Sequence, residues 1–240
     1  MGIRDLFDAG GPHSPESAKD WGEAVSDEVD ATSPLLASRL TRQFSAWHDF
    51  ANAADGALAG QQADSGQTWA NWGNDTPTVS GGRVTWGSGA AQGFNTDAGV
   101  AALPTGAEVG EVEFWWRITG GSARRRGVFI GSDIDNAIFA SHNSGGLDLQ
   151  QVVNGTVSSI ASGASTHSVR GNVGHLSMKL YRPAAASLHV AVSLDGGRDR
   201  IGGSMSVEAE IDAVTGNFAG IWSESSSTLV YSMAARERFF

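Results

Sequence analysis

Two acidic residues, Glu111 and Glu113, are the first candidates for chemistry in this chain, because they alternate with Val112 along one predicted strand. Retaining hydrolysis of a glycoside needs two carboxyl groups about 5–5.5 Å apart, one as nucleophile and one as acid. A glycanase strand that supplies both carries three acidic positions, Glu-x-Asp-x-(x)-Glu, and here Trp115 and Trp116 occupy the positions where the third would fall. We therefore expect a polar sheet face, no catalytic residue and no enzyme activity.

The sequence offers no other convincing nucleophile or transition-metal site. The glycine-rich segments around Ser122 and Ser204 both lack the last glycine of Gly-x-Ser-x-Gly, the motif that exposes a serine nucleophile. The six histidines show no spacing typical of a metal pair on a helix. His175 and His189 alternate with apolar residues on adjacent predicted strands, which predicts a cross-strand pair on the surface.

Asp133 and Asp135 are the candidate metal ligands, because carboxylate oxygens in a predicted loop suit a hard cation such as calcium. Aspartate and asparagine are also frequent in turns, where their side chains hydrogen-bond to the local backbone. The segment therefore fits either a calcium site or an ordinary turn, and no other cofactor is expected.

Eight tryptophans could include a platform on which a sugar stacks. Most should lie in the core, since aromatic side chains bring large apolar areas to a sandwich. Trp72 and Trp115 are the candidate ligand-binding residues. By alternation, Trp115 points away from the face that carries Val112 and Ile118. It either packs under a second layer or lies exposed on a binding face.

The overall charge and apolar content limit the partners of this chain. A formal net charge of −10 argues against nucleic acid, because binding phosphates requires clustered Lys and Arg. The basic run of residues 124–126 is expected to face solvent. The sequence contains no run of about 20 apolar residues, the length needed to cross a membrane. Asp5 and Asp8 interrupt the apolar run that a signal peptide would need. The absence of cysteine excludes disulfide and zinc-finger frameworks.

Residues 1–43 predict a short helical arm. Ser14 can cap a helix whose first position is Pro15, and a second cap-and-proline pair follows at Ser33 and Pro34. The apolar stripes of these helices are thin, so they should bury against something else. The candidate assembly residues are Ile3, Leu6, Phe7, Trp21, Val25 and Val29. The arm either docks on a partner or folds back over the rest of the chain.

From Phe44 onward the apolar period changes from helical spacing to two. Leu188, Val190 and Val192, for example, share one face of a predicted strand. Turn signals separate such strands at short intervals, and Asn154-Gly155 is typical of a tight hairpin. Residues 44–240 are therefore predicted to be a mainly β domain, an antiparallel two-sheet jelly-roll sandwich.

Three stretches of this β region carry scaffold motifs. Residues 49–69 contain Asp49-Phe50, an Asp-Gly-x-Leu turn and an Asp-x-Gly-x-x-Trp element, and Gly-Gly-Arg follows at residues 81–83. Residues 175–196 hold two alternating strands, and residues 218–231 a closing element. In these features the chain resembles the lectin-like (concanavalin A/laminin-G-like) domains of minor tail and virion proteins of tailed bacteriophages. It departs from that family at Ala53, where a basic residue is common.

The resemblance implies a concanavalin A-like jelly roll in which the first strand, around residues 44–50, lies beside the last, around residues 229–239. It also implies a homo-oligomeric structural protein of the virion, positioned on the tail, a fibre or the capsid. The arm of residues 1–43 would dock on tail, portal or capsid proteins, and the jelly roll would decorate the particle or adsorb to a host-surface glycan.

The alternative is a free carbohydrate-binding module or an inactive glycanase-like lectin domain. The feature that discriminates between the two is again residues 1–43. A secreted module would be expected to start with a signal peptide and a linker, whereas this chain starts with acidic amphipathic helices.

Overall fold

The computed structural model describes most of the predicted β region. The described residues are 45–87, 99–119, 124–143, 146–164, 173–184, 187–195, 205–211, 216–224 and 226–237. The predicted arm of residues 1–43, with its six assembly candidates, lies outside the described residues.

Sixteen strands and one short 3-10 helix, Phe50–Asn52, make up the described part of the chain. The strands are β1 Ala46–Asp49, β2 Gly56–Ala57, β3 Ala70–Asn71, β4 Thr78–Val79, β5 Val84–Thr85, β6 Gly99–Pro104, β7 Val109–Ile118, β8 Arg126–Asp133, β9 Asn136–Asn143, β10 Gly146–Val153, β11 Thr156–Ala164, β12 Val173–Ala184, β13 Ser187–Asp195, β14 Met205–Ile211, β15 Phe218–Ser223 and β16 Thr228–Glu237. In this described part, no helix has the length and apolar character needed to span a membrane.

These strands form two sheets. The larger sheet has nine strands in the order β14-β13-β12-β7-β16-β5-β4-β2, with β1 also paired to β16. The smaller sheet has seven strands in the order β11-β10-β9-β8-β15-β6-β3. Every pairing between named strands is antiparallel. The predicted antiparallel two-sheet sandwich is thus confirmed.

The core lies between the two sheets and follows the predicted alternation. On β7, Val112, Phe114, Trp116 and Ile118 are all buried, whereas the residues between them keep some exposure. Fully burying a large apolar side chain is worth roughly 1.5–3 kcal/mol, so one such strand face contributes substantially to stability. This alternation leaves the other face of β7 available for polar and aromatic groups.

The turn after β10 has the conformation that its sequence predicts. Asn154 and Gly155 both have positive φ, 49° and 75°. A two-residue hairpin turn of type I′ requires positive φ at both central positions, and Asn-Gly adopts it at little cost. The turn joins β10 to β11, as predicted.

The first described strand pairs with the last, as the resemblance implied. Ala46 lies opposite Ala235 and Asp49 lies opposite Ser232 in an antiparallel ladder. On its other side β16 pairs with β7 along most of its length. The chain therefore closes by placing its last strand in the interior of the larger sheet.

The basic run at residues 124–126 differs from the expectation that it faces solvent. Arg126 is 1% exposed because it shares the inward face of β8 with Val128 and Ile130. Its guanidinium carbon lies 5.3 Å from the centre of the Trp116 ring. Burial lowers the pKa of Arg126 to about 10, and the charge of Glu224 acts in the opposite direction.

Candidate functional site

The outward face of the larger sheet gathers aromatic and charged side chains. On β7, Glu111, Glu113 and Trp115 alternate with buried residues and are each half-buried on this outward face. Trp115 was expected either to pack under a second layer or to lie exposed, and the structure shows a half-buried side chain. The indole lies on the outer surface and is partly covered by a neighbouring side chain.

That neighbour is His175, which lies directly opposite Trp115 in the pairing of β7 with β12. The two rings stack with centroids 4.3 Å apart and an interplanar angle of 17°. His175 Nε2 also donates a hydrogen bond to Glu113 Oε2 at 3.2 Å. Stacked and hydrogen-bonded side chains have little remaining freedom, so a ligand would not have to order this cluster on binding.

A single guanidinium joins the two carboxylates of β7. Arg236 Nη1 donates to Glu111 Oε2 at 3.2 Å, and Arg236 Nη2 lies 4.0 Å from Glu113 Oε1. Arg236 is placed there by the pairing of β16 with β7, which sets it opposite Glu111. A catalytic acid and a nucleophile need different environments, so that one carboxyl group stays protonated while the other is ionised. Here both carboxylates share one cation on an open sheet face.

The two histidines expected to pair across strands do not face each other. His189 lies opposite Tyr181, with ring centroids 5.6 Å apart, whereas His175 lies opposite Asp195. The prediction of adjacent strands was right, but the prediction of a direct pair was wrong. A cross-strand pair depends on the register of the hairpin, which alternation alone leaves open.

Trp72, the second candidate for ligand binding, lies on the other sheet. It follows β3 and packs on Phe129 and Phe218, with ring centroids 5.2 and 4.9 Å away. These rings belong to a second apolar cluster on the outward face of the smaller sheet, together with Phe139 and Trp222. Trp72 and Trp115 therefore belong to separate places in the sandwich.

Asp133 and Asp135 lie at the turn between β8 and β9, where both are exposed. Asp133 Oδ1 accepts hydrogen bonds from the Asp135 backbone N–H at 2.9 Å and from Asn136 Nδ2 at 3.0 Å. Gly155 N–H donates to the Asp135 carbonyl at 3.0 Å. The geometry is that of a turn stabilised by its own side chains. Within the described ranges, no group of three or more His, Asp or Glu residues could hold a metal.

Sequence reasoning missed two contributors to the outward face of the larger sheet, Trp47 and Arg236. Trp47 is 37% exposed on β1, between the buried Ala46 and His48. The alternation of Trp47 with its neighbours was a usable signal once β1 had been placed. Arg236 required knowledge of the strand register, because it lies 125 residues from its partner Glu111.

No protein-family model and no curated protein matches this sequence. Several solved structures share its fold. A mutant of the GH43 protein BlXynB from Bacillus licheniformis is similar with TM-score 0.53 and 11% identity, over 81% of this chain and 39% of that one. The xylan β-1,4-xylosidase of Bacillus halodurans gives TM-score 0.52 and 14% identity, over 80% and 39%. The xyloglucan PUL GH43B of Bacteroides ovatus gives 0.50 and 11%, also over 80% and 39%.

This chain therefore spans about two fifths of the length of these solved structures. At such low sequence identity the likeness shows the β-sandwich fold alone. Function has to be argued from the side chains of this chain, since one fold hosts many functions.

Proposed function

We propose that this protein is a non-catalytic structural component of a tailed-phage virion whose sandwich binds a host-surface glycan. The glycan would bind on the outward face of the larger sheet, at Trp115, His175 and Glu113. Residues 1–43 would bind other virion proteins, such as those of the tail, portal or capsid. The protein would be multimeric on the particle.

The stack of Trp115 on His175 carries the glycan part of the proposal. A sugar ring presents C–H groups on its face and hydroxyls at its edge. It therefore suits an aromatic platform flanked by a few fixed polar groups. Glu113, held by His175 at 3.2 Å, supplies a hydrogen-bond acceptor beside the indole. The next strand, β16, places the small residue Ser232 opposite Trp115, which leaves room above it.

The non-catalytic part is supported by the surroundings of the two carboxylates. Glu111 and Glu113 contact the same guanidinium, and the third acidic position of the glycanase motif is occupied by tryptophan. We expect no release of reducing sugar from bacterial polysaccharides. Release that disappears in the Glu113→Gln variant would contradict this part of the proposal.

The glycan part is tested with an array of bacterial surface glycans, comparing the full chain with Trp115→Ala. The matched control is Val157→Ala, which truncates an apolar side chain that is 42% exposed on the edge strand β11 of the smaller sheet. Binding that is lost in Trp115→Ala and kept in Val157→Ala supports the proposal. Equal binding by all three proteins, or by none, contradicts it.

The alternative, a free carbohydrate-binding module, would use the same stack of Trp115 on His175. The virion proposal rests on the scaffold motifs and on the amphipathic pattern of residues 1–43. Mass spectrometry of purified particles from cells that express the chain separates the two. Stoichiometric presence in the particles supports a virion protein, and presence only outside them supports the free module.

A further inference from the structure

We propose that the glycan site is a trough that follows β16, with Trp47 as a second stacking position, and that it takes a neutral oligosaccharide longer than one sugar ring. This inference rests on the proposed glycan binding and specifies its ligand. It is carried by the registers of the three strands β1, β16 and β7.

The floor of the trough consists of small side chains. In the two ladders, Ser232 lies between Asp49 on β1 and Trp115 on β7. Ala234 lies between Trp47 and Glu113 in the same way. Ala234 is 8% exposed and Ser232 is half-buried, so the larger side chains on the two flanking strands rise above this row.

The two walls carry one indole each, Trp47 exposed and Trp115 half-buried. Trp47 and Asp49 are the exposed residues of β1, whose other residues are buried. Glu113 and Trp115 form the facing wall on β7. Arg236 bounds one end, where its guanidinium meets Glu111.

Hydrogen bonds to Ser65 and Asp64 hold the backbone of β1 in place. The backbone N–H of Trp47 donates to Ser65 Oγ at 2.8 Å, and Ser65 Oγ donates to the Trp47 carbonyl at 3.0 Å. The N–H of Asp49 donates to Asp64 Oδ2 at 2.7 Å. Because β1 is held between β16 and these groups, Trp47 is presented from a defined backbone.

The distance between the indoles sets the length of the ligand. Trp47 and Trp115 lie two strands apart and are offset by two residues along the sheet. Spacings of about 4.8 Å per strand and 3.4 Å per residue place their Cα atoms roughly 12 Å apart. One hexose cannot span this distance, whereas a short oligosaccharide that lies obliquely in the trough can contact both rings.

The charge of the trough sets the kind of glycan. Asp49, Glu111 and Glu113 line the described part of it, against the guanidinium of Arg236 at one end and that of Arg117 at the other. Carboxylates can accept hydrogen bonds from sugar hydroxyls, but they repel a uronate, sialate or phosphate group. Arg117, the next outward residue of β7, lies beyond the two indoles. A neutral chain is therefore favoured over an acidic one.

The test is calorimetric titration of the full chain with neutral oligosaccharides, from disaccharide to hexasaccharide, and with acidic oligosaccharides of equal length. The probes are cello-, laminari- and chito-oligosaccharides, any neutral glycan found on the array, and oligogalacturonates. Trp47→Ala should weaken binding of the neutral hexasaccharide about tenfold, which corresponds to about 1.4 kcal/mol. It should leave the affinity for the disaccharide unchanged. Ala234→Leu keeps both indoles but fills the floor, and it should weaken the same ligand.

The outcomes separate this inference from the proposed function. If Trp115→Ala removes binding but Trp47→Ala and Ala234→Leu leave the hexasaccharide affinity unchanged, the glycan site stands and the trough is wrong. Acidic chains that bind as tightly as neutral ones also overturn the trough. If no glycan binds, both proposals fail. Val157→Ala again serves as the exposed control, and unchanged urea unfolding of each variant excludes loss of fold.

Discussion

The imidazole of His48 is only 3% exposed on β1, where Trp69 Nε1 donates a hydrogen bond to its Nδ1 at 2.9 Å. This bond requires a neutral ring with its proton on Nε2. Burial lowers the pKa of His48 below its usual value, although the charges of Asp64 and Asp49 act in the opposite direction. Protonation of the ring would therefore disrupt the packing of β1 against Trp69.

His48 predicts a loss of stability on acidification. Below about pH 6.5 the unfolded chain binds a proton at this histidine that the folded chain resists, so the free energy of unfolding falls as pH falls. The stabilisation is complete above that pH and declines towards the lowered folded pKa. His48→Asn keeps an acceptor for Trp69 but cannot take up the proton. Its urea-unfolding free energy should fall less than that of the wild type between about pH 8 and about pH 5. Identical pH dependence in both proteins would contradict this role.

Alternation along single strands predicted which residues face outward, but not what they contact. It placed Trp115 opposite to Val112 and Ile118, and the structure agrees. It could not predict that Trp115 stacks on His175 or that Arg236 donates a hydrogen bond to Glu111. Both contacts depend on registers between strands far apart in sequence. The histidine pair was wrong because it depends on the register within one hairpin. The burial of Arg126 was missed although its spacing from Val128 and Ile130 places it on the inward face of β8.

At the scale of elements, the position of β16 organises both the fold and the candidate site. It lies between β7 and β1, and it also pairs with β5 at Val230. Its inward residues include Val230, Met233 and Ala235, all at most 1% exposed. Its outward residues Ser232 and Ala234 form the floor of the trough. One strand thus closes the core on one face and shapes the ligand surface on the other.

Deleting residues 229–240 should therefore prevent soluble folding. The deletion removes an interior strand, exposes the edges of β1 and β7, and uncovers apolar side chains that β16 buries. Deleting only residues 238–240, which follow the end of β16 at Glu237, is the control. Soluble yield and circular dichroism measure the outcome. A well-folded protein without residues 229–240 would show that the strand is dispensable.

The switch from helical to period-two spacing at Phe44 predicted the sheet elements well. Strong alternation and the Asn154-Gly155 turn located the long strands. The only strand neighbours that the resemblance predicted were the first and last strands of the domain, β1 and β16. Periodicity cannot specify which strands become neighbours, since that is decided by packing between distant segments.

At the scale of the whole molecule, the proposal assigns assembly to residues 1–43 and recognition to the sandwich. All sixteen described strands lie after residue 45, so the sandwich should fold without the arm. The surplus of acidic residues in the arm could steer it to a basic surface of a partner. The remaining alternative is an arm that folds back on its own chain.

A protein that lacks residues 1–43 should remain folded and still bind glycan, but it should fail to join particles. Its thermal unfolding and its glycan affinity are compared with those of the full chain, and its incorporation is measured by mass spectrometry of purified virions. Normal incorporation would mean that the sandwich makes the attachment. A large loss of thermal stability would favour the arm that folds back.

Indole N–H resonances during titration with the neutral hexasaccharide give the most direct test of the glycan site. Among the tryptophans that the structure describes, four are buried and at most 4% exposed: Trp69, Trp86, Trp116 and Trp222. Trp72 lies half-buried on the smaller sheet and reports on that surface. We predict that the resonances of Trp115 and Trp47 shift with the ligand while those of Trp72 and the four buried indoles do not. Shifts at Trp72 with none at Trp115 would place the ligand on the opposite sheet and contradict the account.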